Sequence, residues 1–206
     1  MSRNSTVRLA IVLGEAALVL SLLAVWLLVE DVRTEGSLTV LFLYSFPSEF
    51  LVGLVPHEPV LLFYGQLHAA VTVALVAGVG TTMTEGLNYS FLGFFTELGL
   101  FEKAREKALV ARLIDLFGRA PFLAVVVAGF TPVPFFPIRF LVVMERYPVS
   151  RYLLGVFVSR TPRFFLLAAL GHVFRIPGWA LLALFAAMIV SLYLPLVRDR
   201  SPGATG

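Results

Sequence analysis

The sequence predicts an all-α integral membrane protein, an inverted repeat of two proline-broken re-entrant hairpins, each followed by a transmembrane span. Three observations predict it: long apolar runs, prolines and charges inside those runs, and basic residues gathered on one set of loops. Of 206 residues, 59% are hydrophobic and 14% charged, with mean hydropathy +0.91. Soluble domains carry about 25% charged residues, so the composition belongs to a membrane protein.

Residues 9–29 follow a polar start and are interrupted only by Glu15 and Ser21. About 20 apolar residues span a bilayer, and this run is too long for a signal-peptide core, which predicts an uncleaved signal anchor. Residues 38–55 are apolar again, but Pro47-Ser48-Glu49 interrupts them and Pro56-His57-Glu58-Pro59 ends them. Proline removes a backbone donor and clashes with the preceding turn, so this stretch predicts a re-entrant hairpin broken at Pro47. Residues 60–95 are too long for one straight span, and Gly78-Val79-Gly80 is the predicted break.

Residues 102–118 mix Lys103, Arg105, Lys107 and Arg112 with Glu102, Glu106 and Asp115. Their apolar positions recur at helical spacing, which predicts a basic amphipathic helix on the cytoplasmic membrane surface. Residues 121–144 contain Pro132, Pro134, Pro137 and Arg139 within an apolar run. Broken backbone at membrane depth survives only where protein covers it or where it lines a polar cavity. The prediction is a second re-entrant hairpin turning at these prolines; two interfacial helices joined by a wet loop are the alternative. Residues 149–170 form a span carrying Arg160 and Arg163 around Pro162, and 177–197 form a last span. The chain thus divides into an anchor with an acidic outer loop (1–36), a paired-hairpin domain (37–175) and a final span with its tail (176–206).

Orientation follows from the basic residues. With the N-terminus inside and neither hairpin crossing, the inside receives Arg3, Arg8, Lys103, Arg105, Lys107, Arg112, Arg119, Arg146, Arg151, Arg198 and Arg200. The outside receives only Arg33 and Arg175. Both termini are therefore expected in the cytoplasm of a cell with an inner (plasma) membrane. Pro47-Ser48-Glu49-Phe50-Leu51-Val52 and Pro137-Ile138-Arg139-Phe140-Leu141-Val142 match at the proline, Phe, Leu and Val, which suggests the internal repeat. Inverted repeats with broken segments meeting near the midplane are a recurring transporter plan.

Glu15, Glu49, Glu85, Arg139, Arg160 and Arg163 fall inside the apolar runs. Left unpaired they would cost on the order of 15 kcal/mol, so they pair, snorkel or line a wet cavity. Arg160 and Arg163 lie three apart and share a helix face, an arrangement suited to a phosphate or carboxylate. Structural pairing, such as Glu49–Arg139 or Glu85–Arg160, is the alternative. The absence of cysteine excludes disulfides and thiol chemistry. His57, His68 and His172 lack metal-ligand spacing and read as loop or interfacial residues. With no catalytic triad or phosphate loop in view, neither an enzyme nor a cofactor is expected; the net charge of +3 suggests nothing about nucleic acid, and no nucleic-acid partner is expected.

From Ser45 to Gly171 the chain resembles the DedA/VTT (SNARE-associated) superfamily. Phe46-Pro47-Ser48-Glu49 is similar to the Pro-and-acid motif of its first hairpin. Gly80-Thr81-Thr82-Met83-Thr84-Glu85-Gly86-Leu87-Asn88-Tyr89-Ser90-Phe91-Leu92-Gly93 is similar to its glycine–acid–tyrosine pattern, Phe130-Thr131-Pro132-Val133-Pro134 to its second hairpin, and Ala169-Leu170-Gly171 to its closing Leu-Gly. Gly129 stands where many members carry an arginine, and Arg139 lies a few residues beyond their second one. The resemblance implies paired re-entrant hairpins and lipid translocation, including undecaprenyl-phosphate recycling and phospholipid scrambling, with proton coupling in some members.

The expected function is a flippase for a phosphate-bearing lipid. Arg139, Arg160 and Arg163 would receive the phosphate, with Glu49 and Glu85 as counter-charges and proton carriers. Asn88, Tyr89 and Glu15 are secondary candidates. The rivals are an ion- or proton-coupled transporter of a small solute and a membrane scaffold held by structural ion pairs. Membrane lipids are the expected partners, and a homo-oligomer stays open.

Overall fold

The computed structural model describes residues 3–30, 36–51, 53, 55–98, 108–131 and 135–198. Among these residues the chain is helical: α1 (Arg3–Leu28), α2 (Leu38–Glu49), α3 (Glu58–Leu67), α4 (Ala70–Glu97), α5 (Ala108–Arg119), α6 (Pro121–Phe130), α7 (Phe136–Met144), α8 (Val149–Phe174) and α9 (Gly178–Arg198). Three stretches are long and apolar enough to cross a membrane: Leu9–Leu28, Ala70–Glu97 and Val149–Phe174. They expose large apolar side chains such as Leu13, Val71 and Leu154, as a lipid-facing surface does.

A short–short–long order occurs twice, in α2–α3–α4 and in α6–α7–α8. The long helices α4 and α8 run antiparallel: Gly86 faces Leu153, whereas Gly78 faces Thr161. In the first unit α2 lies parallel to its own α4, with Gly80 against Ser45 and Asn88 donating to the Glu49 carbonyl. In the second, α6 lies parallel to its own α8, with Val125 against Gly155 and Gly129 against Ser159. The returning arms cross over to the other unit. α3 packs on α8 so closely that a Cβ on Gly65 would run into the Ala168 carbonyl oxygen, and one on Gly171 into that of Leu62. α7 packs on α4. α4 and α8 form the central pair.

Each short pair returns to the end where it began. The His68 Nε2 atom lies 2.7 Å from the carbonyl oxygen of Gly36, closing the open end of α2 and α3. At the open end of α6 and α7, the rings of Phe117 and Tyr147 meet edge-on at 6.1 Å.

Several local expectations change. Gly78 and Gly80 do not break α4, which is continuous; they are small because Thr161 and Ser45 pack there. The break of that long apolar run falls instead at His68-Ala69. Pro47 is buried within α2 and does not form the turn. Its ring deprives the helix of one donor only, and the turn begins at Phe50, whose N–H still closes on Phe46. Pro137 stands at the second residue of α7 and Pro59 at the second residue of α3, where a missing N–H is harmless. The repeated hexapeptides therefore sit in non-equivalent arms, and Pro59 is the structural counterpart of Pro137. Pro132 and Pro134 lie outside the described residues, as do residues 102–107 of the amphipathic stretch. The described part, α5, turns by 100° into α6.

Candidate functional site

The buried charges gather at the middle of the central pair. At about 1.5 Å per residue, Glu85 stands roughly 22 Å from the start of α4 and Arg160 roughly 16 Å from the start of α8. Arg139, in the first turn of α7, reaches Glu85 with Nε at 2.9 Å from each carboxylate oxygen and with Nη2 at 2.6 Å from Oε1. Nη2 also donates to the Glu49 carbonyl (2.8 Å) and carboxylate (3.2 Å), and Nη1 donates to the Leu51 carbonyl. Arg160 pairs with the Glu49 carboxylate at 2.5 Å and lies 3.6 Å from that of Glu85. Its guanidinium sits over the Phe135 ring, 4.5 Å from the centroid.

Two carboxylates and two guanidiniums thus form one buried, formally neutral group. Both alternative pairings expected from sequence are present, but the shortest links are Glu85–Arg139 and Glu49–Arg160. Glu85 is fully buried, and Arg139 and Arg160 are each 4% exposed. Tyr152 donates its hydroxyl to Glu85 Oε2 at 2.6 Å and Asn88 donates to the same oxygen at 3.2 Å. Asn88 also accepts from the Leu51 N–H at 2.8 Å. Leu51 has φ of 52°, a left-handed conformation that normally favours glycine. Its N–H and C=O are both held by site residues, which keeps the strained turn in place.

Arg163 stands apart from Arg160. It is partly exposed and bonds Glu58 Oε1 at 2.7 Å and the Thr131 carbonyl at 3.1 Å. The two arginines share a face, as their spacing predicts, yet hold different carboxylates and do not converge on one anion. Arg163 joins the beginning of α3 to the end of α6, so it clasps the first turn to the second. Tyr89 lies outside the charge cluster and donates to the Tyr147 carbonyl at 3.0 Å. Glu15 is also remote: it lies on the inward stripe of α1 between Val12 and Val19, and its Oε2 is buried without a hydrogen-bond partner among the described residues.

Tyr152, Phe135, Glu58 and His57 belong to the site and were not singled out by sequence. Phe135 and Glu58 could have been suspected from their places beside the broken segments. His57 lies in the loop between α2 and α3, as expected, but it is buried rather than interfacial: it is 4% exposed, between the Tyr44 and Phe164 rings. Its burial follows from the inward turn between α2 and α3. Among the described residues no group of histidine and acidic side chains could hold a metal ion.

A second feature adjoins the first hairpin. A crevice of about 300 Å³ between α1, α2, α3 and α9 is lined by Trp26, Tyr44, Pro59, Phe63, Leu181 and Phe185, among others. Compared with protein-family models, characterised proteins and solved structures, the chain matches none of them.

Proposed function

We propose that this protein is a membrane transporter for a phosphate-bearing lipid, with α2–α3 and α6–α7 as re-entrant hairpins entering the bilayer from opposite faces. The observation that carries the reading is the four-charge group of Glu49, Glu85, Arg139 and Arg160, buried at mid-length of the central pair. Charges at that depth are expensive and are kept where a polar substrate or ion must pass. A phosphate arriving between the turns would compete with Glu49 and Glu85 for the forked donors of Arg139 and Arg160. Arg163 would meet it first, because it is the more exposed cation and its partner Glu58 is also partly exposed.

The apolar crevice beside Tyr44 and Pro59 favours a lipid over a small solute, since a lipid tail can remain among apolar side chains while the head crosses. Membership of the DedA/VTT superfamily and an inner-membrane location with both termini in the cytoplasm belong to this proposal. One observation favours a scaffold instead: all three nitrogens of Arg139 are already bonded within the protein. The deciding experiment reconstitutes the purified chain in liposomes with a short-chain polyprenyl phosphate. The reading expects movement of the lipid between leaflets, lost with Arg139→Lys. No movement above protein-free liposomes, from a folded wild-type chain, overturns it in favour of the scaffold.

A further inference from the structure

His57 is the one buried imidazole at the junction of the two turns, and the transport reading above leaves it without a role. It lies in the turn between α2 and α3, directly before Glu58. Its Nδ1 is 2.6 Å from the Ser48 hydroxyl oxygen. That hydroxyl has a single proton, and it lies 2.8 Å from the Tyr44 carbonyl and 3.2 Å from the Ser45 carbonyl, both of which can only accept. The Ser48 proton is therefore directed to the helix backbone. With the Ser48 proton so placed, Nδ1 donates in its contact with Ser48 and the neutral ring carries its lone pair on Nε2, the tautomer that the nitrogen NMR below tests. Nε2 is buried and has no hydrogen-bond partner among the described residues.

The surroundings of the ring give this lone pair a consequence. The charged groups that act on His57 are Glu49 from α2, Glu58 from α3, and Arg160 and Arg163 from α8. Tyr44 stacks on the ring from α2, and Phe164 covers it from α8. The same four charged residues make the Glu49–Arg160 pair and the Glu58–Arg163 pair. The imidazole therefore stands between the buried pair and the partly exposed one.

We infer that His57 is a proton-binding site that couples protonation to loosening of the Arg163 clasp between the two turns. One proton from hydronium adds to the Nε2 lone pair, forming an N–H bond and leaving a water molecule. The resulting imidazolium competes with Arg160 and Arg163 for Glu49 and Glu58, and it repels both arginines. Either effect weakens the attachment of the α2–α3 turn to α8. The freed guanidiniums are then the groups that an incoming anion can use. The inference rests on the transport reading only for this last step; the proton site and the clasp stand on geometry alone.

The test begins with a protein carrying His68→Gln and His172→Gln, which retains His57 as its single imidazole. Nitrogen NMR of that ring should show the Nδ1–H tautomer at high pH and a doubly protonated ring at low pH. A ring that stays neutral between about pH 8 and pH 5, or one with its proton on Nε2, overturns the inference. The clasp is read separately with Thr131→Cys, which retains the backbone carbonyl that Arg163 binds. Labelling by a water-soluble maleimide should rise severalfold as the pH falls through that range, and His57→Gln should flatten the profile. A flat profile in the parent, or an unchanged slope in a folded His57→Gln protein, overturns it. Should His57→Gln fail to fold, Ser48→Ala serves in its place: it keeps the ring, removes the acceptor of Nδ1–H and should move the profile along the pH axis. An unmoved profile then counts against the inference. If the ring titrates and the clasp loosens while liposomes show no lipid movement, the transport reading fails and the proton site remains.

Discussion

Arg139 and Glu85, 54 positions apart in the chain, meet through three hydrogen bonds that tie the returning arm of the second hairpin to the middle of α4. The geometry needs a planar fork. Lysine would retain the charge and lose the simultaneous reach to Glu85, Glu49 and Leu51.

Arg139→Ala should lower stability by about 3–5 kcal/mol, because Glu85 would be left as a buried, poorly compensated charge. Combining Arg139→Gln with Glu85→Gln removes both charges and should recover most of the melting temperature in detergent. The same double variant should not recover lipid movement in liposomes. Recovery of both would make the pair purely structural.

Arg160→Lys should harm transport more than Arg163→Lys. Arg160 is buried, stacked on Phe135 and bound to Glu49, whereas Arg163 is partly exposed beside Glu58. Lipid-movement rates of the two single variants provide the comparison. An equal loss would indicate that both arginines take the anion together.

Gly171→Ala should destabilise by roughly 1–3 kcal/mol, since the added methyl meets the Leu62 carbonyl and α3 would have to move off α8. Gly14→Ala, whose new methyl meets nothing within 4 Å, should be neutral or slightly stabilising. Thermal unfolding of the two proteins, side by side, reads the difference.

The cysteine-free chain permits a direct test of hairpin direction. Thr39→Cys and Leu67→Cys bracket the first hairpin, and Arg119→Cys with Ser150→Cys bracket the second. The first two should label from one face of the membrane and the last two from the other. Opposite-face labelling within either pair would mean that the short helices cross.

The helical content, the long spans and the buried charges were legible because composition and apolar run length report them directly. Glu49, Glu85, Arg139 and Arg160 stood out as charges in apolar runs, and the structure brings all four together. Arg163 stood out by the same rule but serves the neighbouring pair with Glu58. The register of the repeat was hidden. Pro47 and Pro137 attract the eye as a matched pair, yet a proline near a helix end and one in a first turn have different backbone roles. Gly78 and Gly80 misled for a related reason: in a membrane helix a small residue more often permits close packing than a break. Tyr152 and His57 gave little signal. Tyrosine is common in membrane proteins, and the burial of His57 depends on a turn folding inward.

The neutrality of the four-charge group bears on energetics across the membrane. A transmembrane potential acts on net charge, at about 2.3 kcal/mol per elementary charge per 100 mV. Two carboxylates and two guanidiniums together carry none, so the empty site adds no net charge for the voltage to act on. A bound phosphate head brings negative charge to the same step, and a proton on His57 offsets one unit of it. Voltage sensitivity would then belong to the loaded passage and depend on how many protons accompany each lipid.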